Sequence, residues 1–261
     1  MSTETELRVT VGDGIGEIRF CRPQVLNAIS VSMGRALDAA VDRLTGDPSV
    51  RVIVLSGEGR AFMAGGDLTY FHTAGDKAAA AHTLIEAIHP ALLRLSRDVR
   101  PVLASLQGAV AGGGMGVALS ADLAIAADDV KFSLAYLAIA ANPDCGSSWN
   151  LVHTIGLRKA MGLALLGDTV DGEEALRLGL VNRLVPAAEL EAQTRALALR
   201  LATQSVPAMG RIKALLRRAA TSGLEEQMAA EQAAFIEGAG TADFAEGLDA
   251  FLGKRKPSFA R

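Results

Sequence analysis

Only two cysteines, Cys21 and Cys145, occur in 261 residues. That is too few for a disulfide framework and fits a reducing, cytoplasmic setting. Aromatic residues make up 4% of the chain, so the core must be aliphatic and alanine-rich. No block of Lys and Arg stands out, and the formal net charge is −3. A nucleic-acid partner or an anionic membrane surface would leave a basic footprint, and none is present. No apolar run approaches the roughly 18 residues that a membrane span needs. The opening MSTETELRV has no basic region followed by an apolar one, so no signal peptide is read there. No low-complexity tract or clear internal repeat is seen.

What remains is a chain that is half apolar and long enough for one large domain, or one domain with an appendage. LRVTVGDGIGEIRFC (7–21) alternates apolar and polar residues around Gly12-Asp13-Gly14 and reads as a hairpin. Ser32–Leu44 has helical spacing. VRVIVLSG (50–57) and PVLASLQGAV (101–110) read as buried strands, AFMAGGDL (61–68) as a loop, and Lys77–Arg97 as a long helix. DLAIAA (122–127) and VKFSL (130–134) are further strands. From about Gly146 the pattern is helical except at LVNRLV (180–185), with successive amphipathic helices over 188–203, 206–220, 223–237 and 241–252. The expectation is an α/β core over 1–190 and a helical region over 191–261.

Two glycine-rich loops each follow a predicted buried strand: Ala64-Gly65-Gly66-Asp67 and Gly112-Gly113-Gly114. In α/β sheets, ligands sit beyond the carboxyl ends of strands. Each loop could aim one backbone N–H at the same oxygen, forming an oxyanion hole. The second donor would begin a helix, whose dipole adds to the effect. Tight strand-to-helix turns explain the same glycines about equally well. A phosphate loop fits less well, since neither loop ends in Gly-Lys-Ser/Thr.

These loops, with CRPQVLNAIS (21–30), SGEGRAFMAGGDL (56–68), RPVLASLQGAVAGGGMGVALSADLAIAADDVKFS (100–133), GLRKAMGLALLGDTVDGEEALRLGLVNRLVP (156–186) and EGLDAFLGKRKPSF (246–259), resemble the crotonase family, the enoyl-CoA hydratase/isomerase superfamily. The likeness covers nearly the whole chain in order. It implies an α/β fold, a spiral of ββα units with C-terminal helices that trimerise, and a homo-oligomer, trimer or hexamer. It implies an acyl-CoA thioester substrate whose oxygen lies between the N–H groups of Gly66 and Gly113. Coenzyme A is part of that substrate, and no metal or other cofactor is required. The adenine would lie near Ala64, Asp67 and Leu68. Gln24 stands where a phosphate-facing lysine is often found, with Arg22 as a substitute, and Lys254 resembles a lysine that reaches the CoA of a neighbouring subunit.

A family hydratase carries two glutamates, one to activate water and one to protonate carbon. Their positions hold Gly116 and the pair Ala135-Tyr136. One carboxylate remains nearby, Asp144 in NPDCGSSW (142–149). Its place resembles the active aspartate of the phenylacetate-pathway ring-epoxide and enoyl-CoA isomerases, and also that of the 4-chlorobenzoyl-CoA dehalogenase branch. Spacing alone favours Asp144 as the cap of a helix starting near Gly146; the resemblance reverses that preference. His89 and Tyr136 fall at the dehalogenase's catalytic histidine and substrate-stacking tryptophan, although a lone histidine is more often packing or surface. His72 and His82 read as surface residues of a variable wall over 71–82, Met115 and Leu119 as core, and Trp149 as packing beneath the Asp144 turn. Cys145 lacks any Cys-His spacing that would make it a nucleophile.

The preferred reading is an enoyl-CoA isomerase with an oxyanion hole and one aspartate. The alternatives are an enoyl-CoA hydratase, a dehalogenase-like enzyme or acyl-CoA hydrolase, and a non-catalytic CoA-binding oligomer.

Overall fold

The computed structural model describes residues 6–259. Residues 1–5, most of the stretch read for a signal peptide, lie outside them. The expected hairpin forms from β1 (Leu7–Gly12) and β2 (Ile15–Phe20), paired antiparallel from Leu7 opposite Phe20 to Gly12 opposite Ile15. A short 3-10 turn (Pro23–Val25) leads to α1 (Val31–Gly46). Ser30 caps α1 by accepting the Met33 N–H, and Met33, Leu37, Ala40, Val41 and Leu44 form its buried face.

Three units then repeat one plan, a long strand, a short strand and helical structure. The first has β3 (Val52–Gly57), β4 (Ala61–Met63), α2 (Leu68–Thr73) and α3 (Lys77–Arg97). The second has β5 (Val102–Leu106), β6 (Ala109–Ala111) and α4 (Gly113–Leu119). The third has β7 (Leu123–Ala127), β8 (Lys131–Ser133), a 3-10 turn (Tyr136–Ile139), α5 (Ser147–Ile155) and α6 (Leu157–Leu166). After β9 (Val170–Asp171) and α7 (Gly172–Leu178), β10 (Arg183–Val185) closes one sheet. The long strands join a six-stranded sheet in the order β1-β2-β3-β5-β7-β10, parallel except at the hairpin. The short strands build a second sheet, β4-β6-β8-β9. The result is a spiral of ββα units.

Two expectations change. AFM at 61–63 is a strand, not a loop. The single strand expected over 101–110 is two strands in different sheets, broken at Gln107-Gly108. Gly108 has φ +52, and a Cβ there would run into the Arg60 carbonyl oxygen, so only glycine lets the chain turn between sheets at this point.

The helices α8 (Leu190–Ala202), α9 (Val206–Ala219), α10 (Leu224–Ala239) and α11 (Ala242–Leu252) follow the expected order. Leu190, Ala198 and Ala202 of α8 cover Ile15, Val52, Val54, Leu103, Ile125 and Ala127 on one face of the six-stranded sheet. The following helix, α9, is tied to the core by Asp122, which accepts from Lys213 Nζ and Arg217 Nη2, each at 2.8 Å, and from the Val102 N–H at 2.9 Å. Large apolar side chains remain exposed on the last three helices, among them Leu216, Leu224, Phe235, Phe251 and Leu252.

Candidate active site

The first glycine loop is placed by backbone pairing. Ile29 N–H donates to the Gly65 carbonyl at 2.7 Å, and Asp67 N–H donates to the Ile29 carbonyl at 2.9 Å. In such a parallel bridge the intervening residue directs its own groups to the other side. The Gly66 N–H therefore faces away from Ile29, and it donates to no acceptor among the described residues. Buried Asn27 fastens the loop's approach. Its Nδ2 donates to the carbonyls of Glu58, Ala61 and Phe62, and its Oδ1 accepts the Arg22 N–H. Asn27 lay inside a matched stretch of sequence but had no distinguishing local pattern.

The second loop lies against the first. A Cβ built on Gly65 would be 3.3 Å from the Gly113 nitrogen and 3.2 Å from the Ala111 carbonyl oxygen. Gly112 donates its N–H to the Ser133 carbonyl at 3.0 Å, and Gly113 opens α4 with an N–H that has no acceptor among the described residues. Gly114 packs so tightly on Met63 that any side chain would strike the Met63 carbonyl oxygen. Two unclaimed N–H groups thus come from two touching loops, as an oxyanion hole requires. Phe71 and Leu84 cover Gly66 from α2 and α3.

Asp144 stands beside the second donor: a Cβ on Gly113 would be 3.4 Å from both Asp144 Oδ1 and Cys145 Sγ. Its side chain does not cap α5. Gly146 occupies the cap position, and it is the Asp144 main-chain carbonyl that accepts the Ser147 N–H at 2.9 Å. Tyr136 OH donates to Asp144 Oδ1 at 2.6 Å. Burial first, then the Asp144 charge, pushes the Tyr136 phenol well above its usual value. The same two causes push up the Cys145 thiol. A buried thiol held protonated is a poor nucleophile.

The missing glutamates have a packing counterpart. A Cβ on Gly116 would come within 2.6 Å of Cys145 Cβ and Ser147 Oγ, so the Asp144 turn fills the space a side chain at 116 would need. Ala135 has φ +54, an angle closed to proline, so the backbone of a Pro-Glu pair is gone as well as its acid.

The family model described as enoyl-CoA hydratase/isomerase matches residues 10–261. This chain belongs to the enoyl-CoA hydratase/isomerase family. It is 38% identical to a "probable enoyl-CoA hydratase" of Rhodobacter capsulatus, over 97% of both chains. It is 33% identical to the 1,2-epoxyphenylacetyl-CoA isomerase of Escherichia coli, over 95% of this chain and 96% of that one. The crystal structure of an enoyl-CoA hydratase from Polaromonas sp. JS666 superposes with a TM-score of 0.92 at 28% identity, covering 97% of this chain and 99% of the other. The spiral of ββα units is therefore the fold of this family, and its members' names span more than one reaction.

The other positions marked in the sequence are scattered around these loops. Ala64 is half-buried and Leu68 exposed at the mouth of the first loop. Asp67 caps α2 through the Thr69 N–H and pairs with Arg22 at 3.0 Å. Arg22 also pairs with Glu6 at 3.0 Å and donates to the Ala28 carbonyl, so its guanidinium is engaged by protein groups. Gln24 is exposed, as is Lys254 just beyond α11. His89 lines a cavity of about 380 Å³ with Leu92, Ser120, Cys145, Gly146 and Trp149. Its Nε2 is buried without a partner among the described residues, and no hydrogen bond joins it to Asp144. Met115 is buried in the core and Leu119 packs against it. His72 and His82 are exposed. Trp149 differs from expectation. It is 49% exposed and stacks on His153 at 4.0 Å between ring centroids, lining the open cavity beside Cys145 and Gly146 instead of packing beneath the turn.

Proposed function

We propose that the protein is an enoyl-CoA isomerase that works with one base. The thioester oxygen is taken between the Gly66 and Gly113 N–H groups, which stabilise the enolate that forms when a proton leaves the neighbouring carbon. Asp144 accepts that proton and returns it two carbons further along, so a single carboxylate serves both steps. The observation that carries this reading is the closeness of Asp144 to Gly113, where a Cβ would be 3.4 Å from Oδ1, beside a position 116 that packing has closed. Hydration would need a second acid or base at the positions now held by Gly116, Ala135 and Tyr136. The Escherichia coli relative bears an isomerase name, which favours the same class.

Ala64 and Leu68 offer the rim for the nucleotide end of CoA, with Gln24 as an exposed polar contact and Lys254 reaching the CoA of a neighbouring copy. Arg22 acts through Asp67, fixing the loop that presents Gly66. The exposed apolar residues of the C-terminal helices are assigned to contacts between copies of the chain, in a cytoplasmic trimer or hexamer. Light scattering on dilution checks this; a stable monomer would remove it.

The decisive test is turnover by the purified protein, with Asp144→Asn alongside, on a 3-enoyl-CoA, a 2-enoyl-CoA and a 4-halobenzoyl-CoA. Asp144-dependent movement of the 3-enoyl double bond is expected. Faster hydration of the 2-enoyl thioester, halide release, or turnover indifferent to Asp144 would overturn the assignment.

A further inference from the structure

Tyr136 opens a 3-10 turn bracketed by two alanines in the left-handed region, Ala135 at φ +54 and Ala140 at φ +55. Such a backbone angle is unfavourable for any residue with a Cβ. Strain of this kind persists where surrounding contacts hold it, and it clusters at functional sites. Here it delivers the phenol to Asp144. The hydroxyl donates to Oδ1 at 2.6 Å and also accepts the Asp144 N–H, at 3.2 Å. The direction of both bonds is forced, because a main-chain N–H can only donate and the phenol has a single proton. One hydroxyl therefore grips both the side chain and the backbone of Asp144. The Asp144 carbonyl is held in turn by the Ser147 N–H and hydroxyl. The neighbouring Cys145 thiol also hydrogen-bonds the carboxylate, and no nitrogen or oxygen donor reaches Oδ2 among the described residues.

We propose that Tyr136 is a positioning residue for the base: it occupies Oδ1 so that Oδ2 alone exchanges protons with the substrate, and it keeps the abstracted proton from escaping before it is returned. The inference rests on the isomerase reading above. In the first step the α-carbon C–H bond breaks, its proton goes to Oδ2, and the electron pair moves onto the thioester oxygen. In the second the carbonyl re-forms, the double bond shifts toward it, and the γ-carbon takes the proton from Oδ2. Asp144 is then restored and nothing else is consumed. Between the steps the Tyr136 bond to Oδ1 resists rotation of the carboxyl group, which would otherwise carry the proton away from the substrate. The bond is stronger to the ionised carboxylate than to the neutral acid, so it also favours the proton's return.

The test is Tyr136→Phe assayed on a 3-enoyl-CoA in D2O. The expected result is a fall in kcat of about tenfold to a hundredfold, KM within about twofold, and a several-fold rise in the fraction of product carrying solvent deuterium at the γ-carbon. That fraction compares two fates of one proton within each turnover, so it does not depend on how much protein is folded. A purely structural tyrosine would leave it unmoved. A fluorotyrosine at 136 keeps the ring and hydroxyl and strengthens the donor; it is expected to lower the deuterium fraction below that of the wild type. Unchanged deuterium content in both variants, with Asp144→Asn still inactive, would overturn the proposal and leave the isomerase reading standing. Turnover indifferent to Asp144→Asn would overturn both.

Discussion

Asp122 receives two cations and a backbone N–H, from Lys213, Arg217 and Val102. Asp144 is met by two neutral groups, the Tyr136 phenol and the Cys145 thiol, and no Lys, Arg or His pairs with it among the described residues. Both follow the glycine cluster, and both are largely shielded by protein. A carboxylate matched by two cations has its charge answered and can hold α9 to the core. A carboxylate met only by neutral groups, close to Gly113 with its unclaimed N–H, is the one we assign to trade protons. The difference is one of partners, since the side chains are identical.

Mutations at the two sites should separate along that line. Asp144→Asn is expected to lower isomerase turnover about 10²–10⁴-fold while leaving the urea midpoint nearly unchanged; parallel loss of both would merge the two sites into one structural role. Asp122→Ala leaves Lys213, which is 9% exposed, with no counter-charge and only the Leu95 and Arg100 carbonyls, and should cost about 3 kcal/mol of stability. The surviving folded fraction, measured by active-site titration, should keep its turnover. Gly116→Glu places a carboxylate where a hydratase has one, yet its Cβ meets Cys145 and Ser147. It should destabilise the protein by about 1–3 kcal/mol without creating hydration of a 2-enoyl-CoA; new hydration would show that the Asp144 turn yields easily.

Alkaline unfolding gives the smallest and most discriminating contrast. The Cys145 thiol is raised in the folded chain by burial and by Asp144, from an ordinary value of 9.0. The unfolded chain therefore ionises first, so stability is full below about pH 9 and falls as pH rises past it, by about 1.4 kcal/mol per pH unit while only one state is ionised. Lys213 is lowered by burial, with Asp122 opposing. The folded chain loses that proton first, so stability gains with rising pH up to about 10.4, the unfolded value. Urea titrations between pH 8 and 10.5 should show Cys145→Ala reducing the loss, to which the raised Cys21 thiol and, above about pH 10, the Tyr136 phenol also contribute, and Lys213→Met removing the gain.

Much of the fold can be read directly. The hairpin, α3 and the four final helices carry clear periodicity and clear breakers at Gly12-Asp13-Gly14, Pro101 and Gly223. The passage between sheets at Gln107-Gly108 is hidden because both flanking strands are buried and apolar, and no alternation marks the break. The loops bearing Gly66 and Gly113 are visible as glycine clusters, but their touching depends on β4 pairing with β6. Asp122 gave no sign of its role because Arg217, its partner, lies 95 residues away. Trp149 was misplaced because which way α5 turns it depends on the left-handed Cys145 and Gly146, at φ +51 and +72, and a residue pattern does not carry those angles.

The pairing of β4 with β6 reaches beyond geometry. Both candidate donors are main-chain groups, and their spacing is set by a ladder of main-chain bonds. A single nucleotide change can erase Asp144, but side-chain replacement leaves the peptide N–H groups in place wherever the loops still close. The thioester-polarising role proposed for these two donors would thus be insulated from drift at the side chains around them.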